Sequence, residues 1–210
     1  RPEADQRVEE RFGLHENRIH CSLEALTRIE SDEMIRDLLQ RADEIPDDLI
    51  KRITDVSEGR PLFIEEILAD LAERDIIRSD IDPWEINVSG LRDVALPQSV
   101  EAAILSRVDA LPEAAAETLQ IAAVTGDACW ELLIRDFGVP GYRAIIDELG
   151  ERQFIRFRRQ PQIPGTREFT FCLPAVREAL EHHVLRKLKV HWHDAIAEWL
   201  EAWVSGEHEY

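Results

Sequence analysis

The sequence predicts a mostly α-helical chain in two parts: a helical bundle, then three helices followed by a β-hairpin and more helix. Three observations point there. Apolar residues recur at helical spacing along almost the whole chain, as Leu49, Ile50 and Ile53 do. Helix-start residues punctuate it at Ser31-Asp32, Pro46, Pro61, Pro97, Pro112 and Pro174. The period changes at Phe154-Ile155-Arg156-Phe157-Arg158 and Phe169-Thr170-Phe171, which read as strands around the turn-rich Gln160–Thr166 connector.

Taken in order, residues 1–18 are polar and read as a linker or cut edge, and Ile19 to Leu26 alternates enough for a short strand. Ser31 or Asp32 is expected to cap a helix burying Met34, Ile35, Leu38 and Leu39. Pro46, followed by Asp47 and Asp48, suits the positive end of a helix that buries Leu49, Ile50, Ile53 and Val56. Gly59 stops that helix, and Pro61 opens the next, with Leu62, Phe63, Ile64, Ile67, Leu68 and Leu71 inside. Residues 75–90 read as irregular or hairpin-like around Pro83-Trp84. A fourth helix after Pro97 buries Val100, Ile104, Leu105 and Val108, and the boundary between the two parts falls at 90–97.

Further helices are expected from Pro112 to Val124, from Trp130 to Phe137 and over 140–149. After the two strands come helices at about 174–185 and 187–204. Three helices, a hairpin and then helix is the order of a winged-helix domain, here 91–205, with a short tail at 206–210. The bundle occupies 19–90.

Composition narrows the function classes. An apolar fraction of 44% supports a real core, and the net charge of −18 argues against general affinity for nucleic acid or anionic membrane. Cys21, Cys129 and Cys172 are odd in number and lack C-x-x-C spacing, which suits reduced thiols in the cytoplasm. No apolar run reaches membrane-spanning length. The charged start, Arg1-Pro2-Glu3-Ala4-Asp5, reads as a cut within a longer protein rather than a signal peptide.

No phosphate-binding loop, G-x-S-x-G or H-E-x-x-H occurs, so no self-contained hydrolase is expected. His182, His183, His191 and His193 cluster, but neighbours on a helix diverge by about 100°, so surface positions are expected rather than a zinc site. Trp192, Trp199 and Trp203 share a face with Leu188, Ile196 and Leu200, which reads as core packing or a docking face for another domain. Arg152, Arg156, Arg158, Arg159 and Arg167 crowd the wing and are expected to pair with the protein's own acids rather than DNA. Asn87-Val88-Ser89 matches a glycosylation acceptor that a cytoplasmic chain would not use. Asp47-Asp48 and Glu65-Glu66 are expected to face water rather than catalyse.

Several stretches resemble, in order, the signalling ATPases called STAND NTPases, especially the AAA-like modules of bacterial transcription regulators and of some nucleotide cyclases. They are Arg1-Pro2-Glu3, Leu23-Glu24-Ala25-Leu26 with Glu30-Ser31-Asp32-Glu33, and Glu58-Gly59-Arg60-Pro61-Leu62-Phe63-Ile64-Glu65-Glu66. Leu96-Pro97 with Ile104 to Pro112, and Ala122-Ala123-Val124-Thr125-Gly126, complete the set. The resemblance implies that residues 19–90 form a lid over a nucleotide, with Gly59 and Pro61 on the adenine side. Arg60 stands where the family commonly has Asn. Leu173, in Phe171-Cys172-Leu173-Pro174-Ala175-Val176-Arg177-Glu178, stands where the family has a phosphate-sensing histidine, and leucine donates no hydrogen bond.

The resemblance therefore implies a non-enzymatic regulatory module for signal transduction. ATP or ADP would be bound only in a full-length parent, by a phosphate-binding P-loop domain of the same protein, and the change passed to an effector. Two alternatives stay open: a DNA-binding winged-helix transcription regulator, disfavoured because the expected recognition helix at 140–149 has one arginine against two acids, and a degenerate protein-interaction module.

Overall fold

The computed structural model describes residues 23–205. The expected strand from Ile19 lies partly outside these residues. Its described part, Leu23 to Leu26, is not a strand. The backbone N–H of Leu26 instead donates to the Gly59 carbonyl at 2.8 Å, which ties this segment to a turn rather than to a ladder.

Helix α1 (Arg28–Leu38) starts earlier than its sequence cue. Thr27 is the cap: its hydroxyl accepts from Glu30 N–H at 3.3 Å, and the Glu30 carboxylate accepts from Thr27 N–H at 2.8 Å. This reciprocal box satisfies two helix-end donors at once. The two residues expected to cap have other partners. Ser31 is buried and donates to the Thr27 carbonyl, and Asp32 accepts from the Thr54 hydroxyl at 2.7 Å.

Helix α2 (Asp47–Ser57) follows Pro46, with Asp47 and Asp48 exposed in its first turn. Helix α3 (Pro61–Glu73) carries proline at its first position. Strands β1 (Ile77–Arg78) and β2 (Glu85–Ile86) pair antiparallel, Ile77 opposite Ile86. This is the hairpin-like course expected for residues 75–90, except at its end. Asn87 accepts from Gly90 N–H at 2.9 Å and so caps a short helix, α4 (Val88–Asp93). Helix α5 (Val100–Asp109) is capped by Ser99.

The remaining elements are α6 (Glu113–Thr125), β3 (Cys129–Trp130), α7 (Glu131–Asp136), α8 (Tyr142–Glu151), β4 (Ile155–Phe157), β5 (Glu168–Phe171), α9 (Pro174–His183) and α10 (Arg186–Val204). The sheet order is β3-β5-β4, all antiparallel. Helix, strand, two helices and a hairpin, with the first strand joining the hairpin's edge, is the winged-helix arrangement. Trp130 was expected to start a helix. It belongs to β3, because Cys129 and Trp130 line up opposite Phe169 and Glu168.

Two apolar cores result. Ile35, Leu49, Ile53, Phe63, Ile67 and Leu71 anchor the first, which extends to Ala103. The second begins at Ile104 and runs through Leu119, Ile134, Leu149, Phe154 and Phe169 to Trp199. Packing thus passes from one core to the other within α5. Of the α5 residues expected inside, Ile104 and Val108 are buried, while Val100 and Leu105 are half-buried.

Candidate functional site

The Gly59-Arg60-Pro61 corner is built by backbone chemistry. Glu58 and Gly59 both take left-handed φ, 51° and 73°. Gly59 is needed for a second reason: a Cβ there would lie 2.1 Å from the Leu26 carbonyl oxygen. Arg60 is extended (φ −90°, ψ 109°), the conformation a residue before proline prefers. Its carbonyl accepts from the N–H groups of Phe63 and Ile64, at 3.0 and 3.1 Å. Pro61 has no N–H to satisfy and stands exposed at the first helical position. The outcome is an exposed proline ring on a corner fixed from behind by the Leu23–Leu26 segment.

Helix α3 runs from this corner to a polar seam that sequence reading missed. Glu65 faces water, but Glu66 is only 3% exposed, correcting the expectation that the pair is solvated. Glu66 accepts from Arg107 Nη1 of α5 at 2.8 Å. Arg107 is 6% exposed, donates from Nη2 to the Arg152 carbonyl at 3.1 Å, and lies 4.5 Å from the centroid of the Phe154 ring. Such a pair must be satisfied on both sides to offset the loss of hydration. One turn further along α3, Asp70 is fully buried and accepts from Arg74 Nε at 3.1 Å. Arg74 also reaches the Ser106 hydroxyl, and Arg152 pairs with Glu73. The signal for this seam was in the sequence. Glu66, Asp70 and Glu73 form a stripe, at i, i+4 and i+7, beside the apolar arc of Phe63, Ile67 and Leu71.

Arg143 and Arg167 both pair with the buried Glu131, and Arg167 also pairs with Asp147 at 2.5 Å. These side chains line a groove of about 610 Å³ between α7, α8 and the wing. Arg158 pairs with Glu168, whose carboxylate also accepts from Trp130 Nε1 at 3.2 Å. Arg143, Arg158 and Arg167 are thus held by the protein's own carboxylates, while Arg156 and Arg159 stand exposed on the wing, so the expected pairing covers only part of the arginine cluster. Leu173 occupies the residue before α9 without a side-chain cap bond and packs, half-buried, on the second core.

Trp192 and Trp199 are buried, and Trp199 stacks on Trp130 at 5.9 Å between centroids. The face of α10 that they share is core packing. His182, His183, His191 and His193 are exposed. No group of three or more potential metal ligands is found among the described residues. Burial pushes the Cys129 thiol up to about 12, and burial also raises Cys172. Cys21 lies outside the described residues. No helix among the described residues is long and apolar enough to cross a membrane.

No curated protein matches this chain. Residues 27–81, which span α1 to β1 and include the Gly59-Arg60-Pro61 corner, match a family model described as a domain of unknown function (DUF8739).

Proposed function

We propose that this chain is the regulatory part of a STAND-type, AAA-like signalling ATPase: a helical lid, residues 19–90, joined to a winged-helix domain, residues 91–205. The lid covers a nucleotide held by the P-loop domain of the parent protein, with Gly59 and Pro61 on the adenine side. The winged helix passes the nucleotide state to an effector. The chain itself performs no catalysis and works in the cytoplasm. One observation carries the reading: a single helix, α3, carries both the exposed Pro61 corner and Glu66, which pairs with buried Arg107 on the first helix after the lid. A change felt at the corner then has a stiff route to the winged helix. The link from fold to activity is by analogy.

Calorimetric titration tests it. ATP and ADP should bind this chain weakly or not at all, because phosphate affinity comes from a P-loop nest and its lysine. A chain extended upstream through a P-loop domain should bind in the micromolar range. Micromolar binding to the present chain alone, or none to the extended one, would contradict the proposal. A pure interaction module is the second reading, and the apolar role of Leu173 favours it: no side-chain donor remains there to read a phosphate.

A further inference from the structure

We infer that Arg107 is a two-position toggle, with Glu66 and Asp70 as alternative acceptors one helical turn apart. Both carboxylates are almost fully buried on the side of α3 that meets α5. Residues four apart lie above one another on a helix, about 5–6 Å between their Cβ atoms. That distance is within the reach of a pivoting arginine side chain. Asp70 belongs to the same seam as Arg107. Arg74, its partner, also donates to Ser106, the residue before Arg107 on α5.

Among the described residues, Asp70 Oδ2 is buried with no donor, and Arg107 Nε is buried with no acceptor. A buried, half-satisfied network is costly, and the unmet Asp70 oxygen on α3 and the unmet Arg107 N–H on α5 are complementary. In the present state Arg107 gives Nη1 to Glu66 and leaves Asp70 short. In the second state it serves Asp70 in place of Glu66. Its other anchors, the Arg152 carbonyl and the Phe154 face, lie in the winged-helix half. The two states therefore differ by a one-turn shift of charge pairing along α3, the kind of bistable register that packed helices use for switching. The toggle is a property of this chain alone. Its use as a signal rests on the function proposed above.

A double-mutant cycle on this chain tests the toggle without nucleotide, so its failure is separate from failure of the nucleotide reading. Glu66→Gln and Asp70→Asn keep shape and remove one acceptor charge each. With a toggle, each single variant loses less than about 3 °C of Tm, because the remaining carboxylate takes Arg107. The double variant, which strands a buried arginine, loses about 10 °C or more, or fails to fold. In Glu66→Gln the Arg107 Nε–H resonance should move downfield as it gains Asp70, and return in the double variant. A fixed Glu66–Arg107 pair gives the opposite pattern. Glu66→Gln alone would then lose about 10 °C or more or fail to fold, Asp70→Asn would lose only what its pairing with Arg74 contributes, and the double variant would equal the sum. Either a large loss in one single variant or simple additivity overturns the toggle.

Discussion

Gly59 meets two separate demands, a left-handed φ of 73° and a backbone 2.1 Å from where a Cβ would sit. Each excludes a side chain on its own. Gly59→Ala should therefore cost at least about 2 kcal/mol in urea unfolding. Gly138, also left-handed but with open space around it, should cost only about 1 kcal/mol as alanine. Equal costs at the two positions would contradict the close approach of Leu26. Cys129 carries a second residue-scale prediction. Its thiol stays protonated up to about pH 12 in the folded protein, against an ordinary value near 9. The unfolded chain thus loses this proton first, so stability falls as pH rises from about 9 towards 12 and is unaffected by the thiol below that window. Iodoacetamide at pH 8 should leave Cys129 unmodified until the chain unfolds, and rapid native-state labelling would refute this. The corner at Gly59-Arg60-Pro61 was legible in the sequence because turn chemistry is local. Glu66 was not, because its partner lies 41 positions away and only packing brings them together.

At the scale of elements, the helices were legible where proline or apolar spacing marks them and less so where caps compete. Ser31, Asp32 and Thr27 all had cap chemistry, and the glutamate three residues after Thr27 decided among them. Thr27→Ala should cost about 1 kcal/mol in urea unfolding. Ser31→Ala should not mimic it through loss of a cap, since Ser31 donates to a carbonyl and caps nothing. The Glu30 carboxyl is held below its ordinary value by the Thr27 backbone N–H and then its hydroxyl. The box is therefore complete above the ordinary carboxylate range and is lost as pH falls through the lowered value. If Thr27→Ala leaves stability unchanged at pH 7, the reciprocal box is not holding the helix. Strand β3 escaped sequence reading because two residues show no period. Its identity comes from Phe169 and Glu168 across the ladder. The hairpin β4–β5 was legible because two short aromatic-rich segments, Phe154 to Arg158 and Phe169 to Phe171, flank the turn-rich Gln160–Thr166 connector.

For the whole molecule, charge and connection matter together. With a net charge of −18 and the wing-side Arg143 and Arg167 paired to Glu131 and Asp147, the chain should not bind duplex DNA at physiological salt. A mobility-shift assay giving submicromolar, sequence-dependent binding would overturn that and favour the transcription-regulator alternative. The central claim is that Pro61 stands beside an adenine ring in the parent protein. The direct test is Pro61→Asp, placed both in this chain and in one extended upstream through the P-loop domain proposed above. The first turn of a helix accepts aspartate well, so the Tm of this chain should move by no more than about 3 °C. In the extended chain, calorimetry should show nucleotide affinity reduced about tenfold or more, a change of about 1.4 kcal/mol. Unchanged affinity in a folded extended protein would contradict the account.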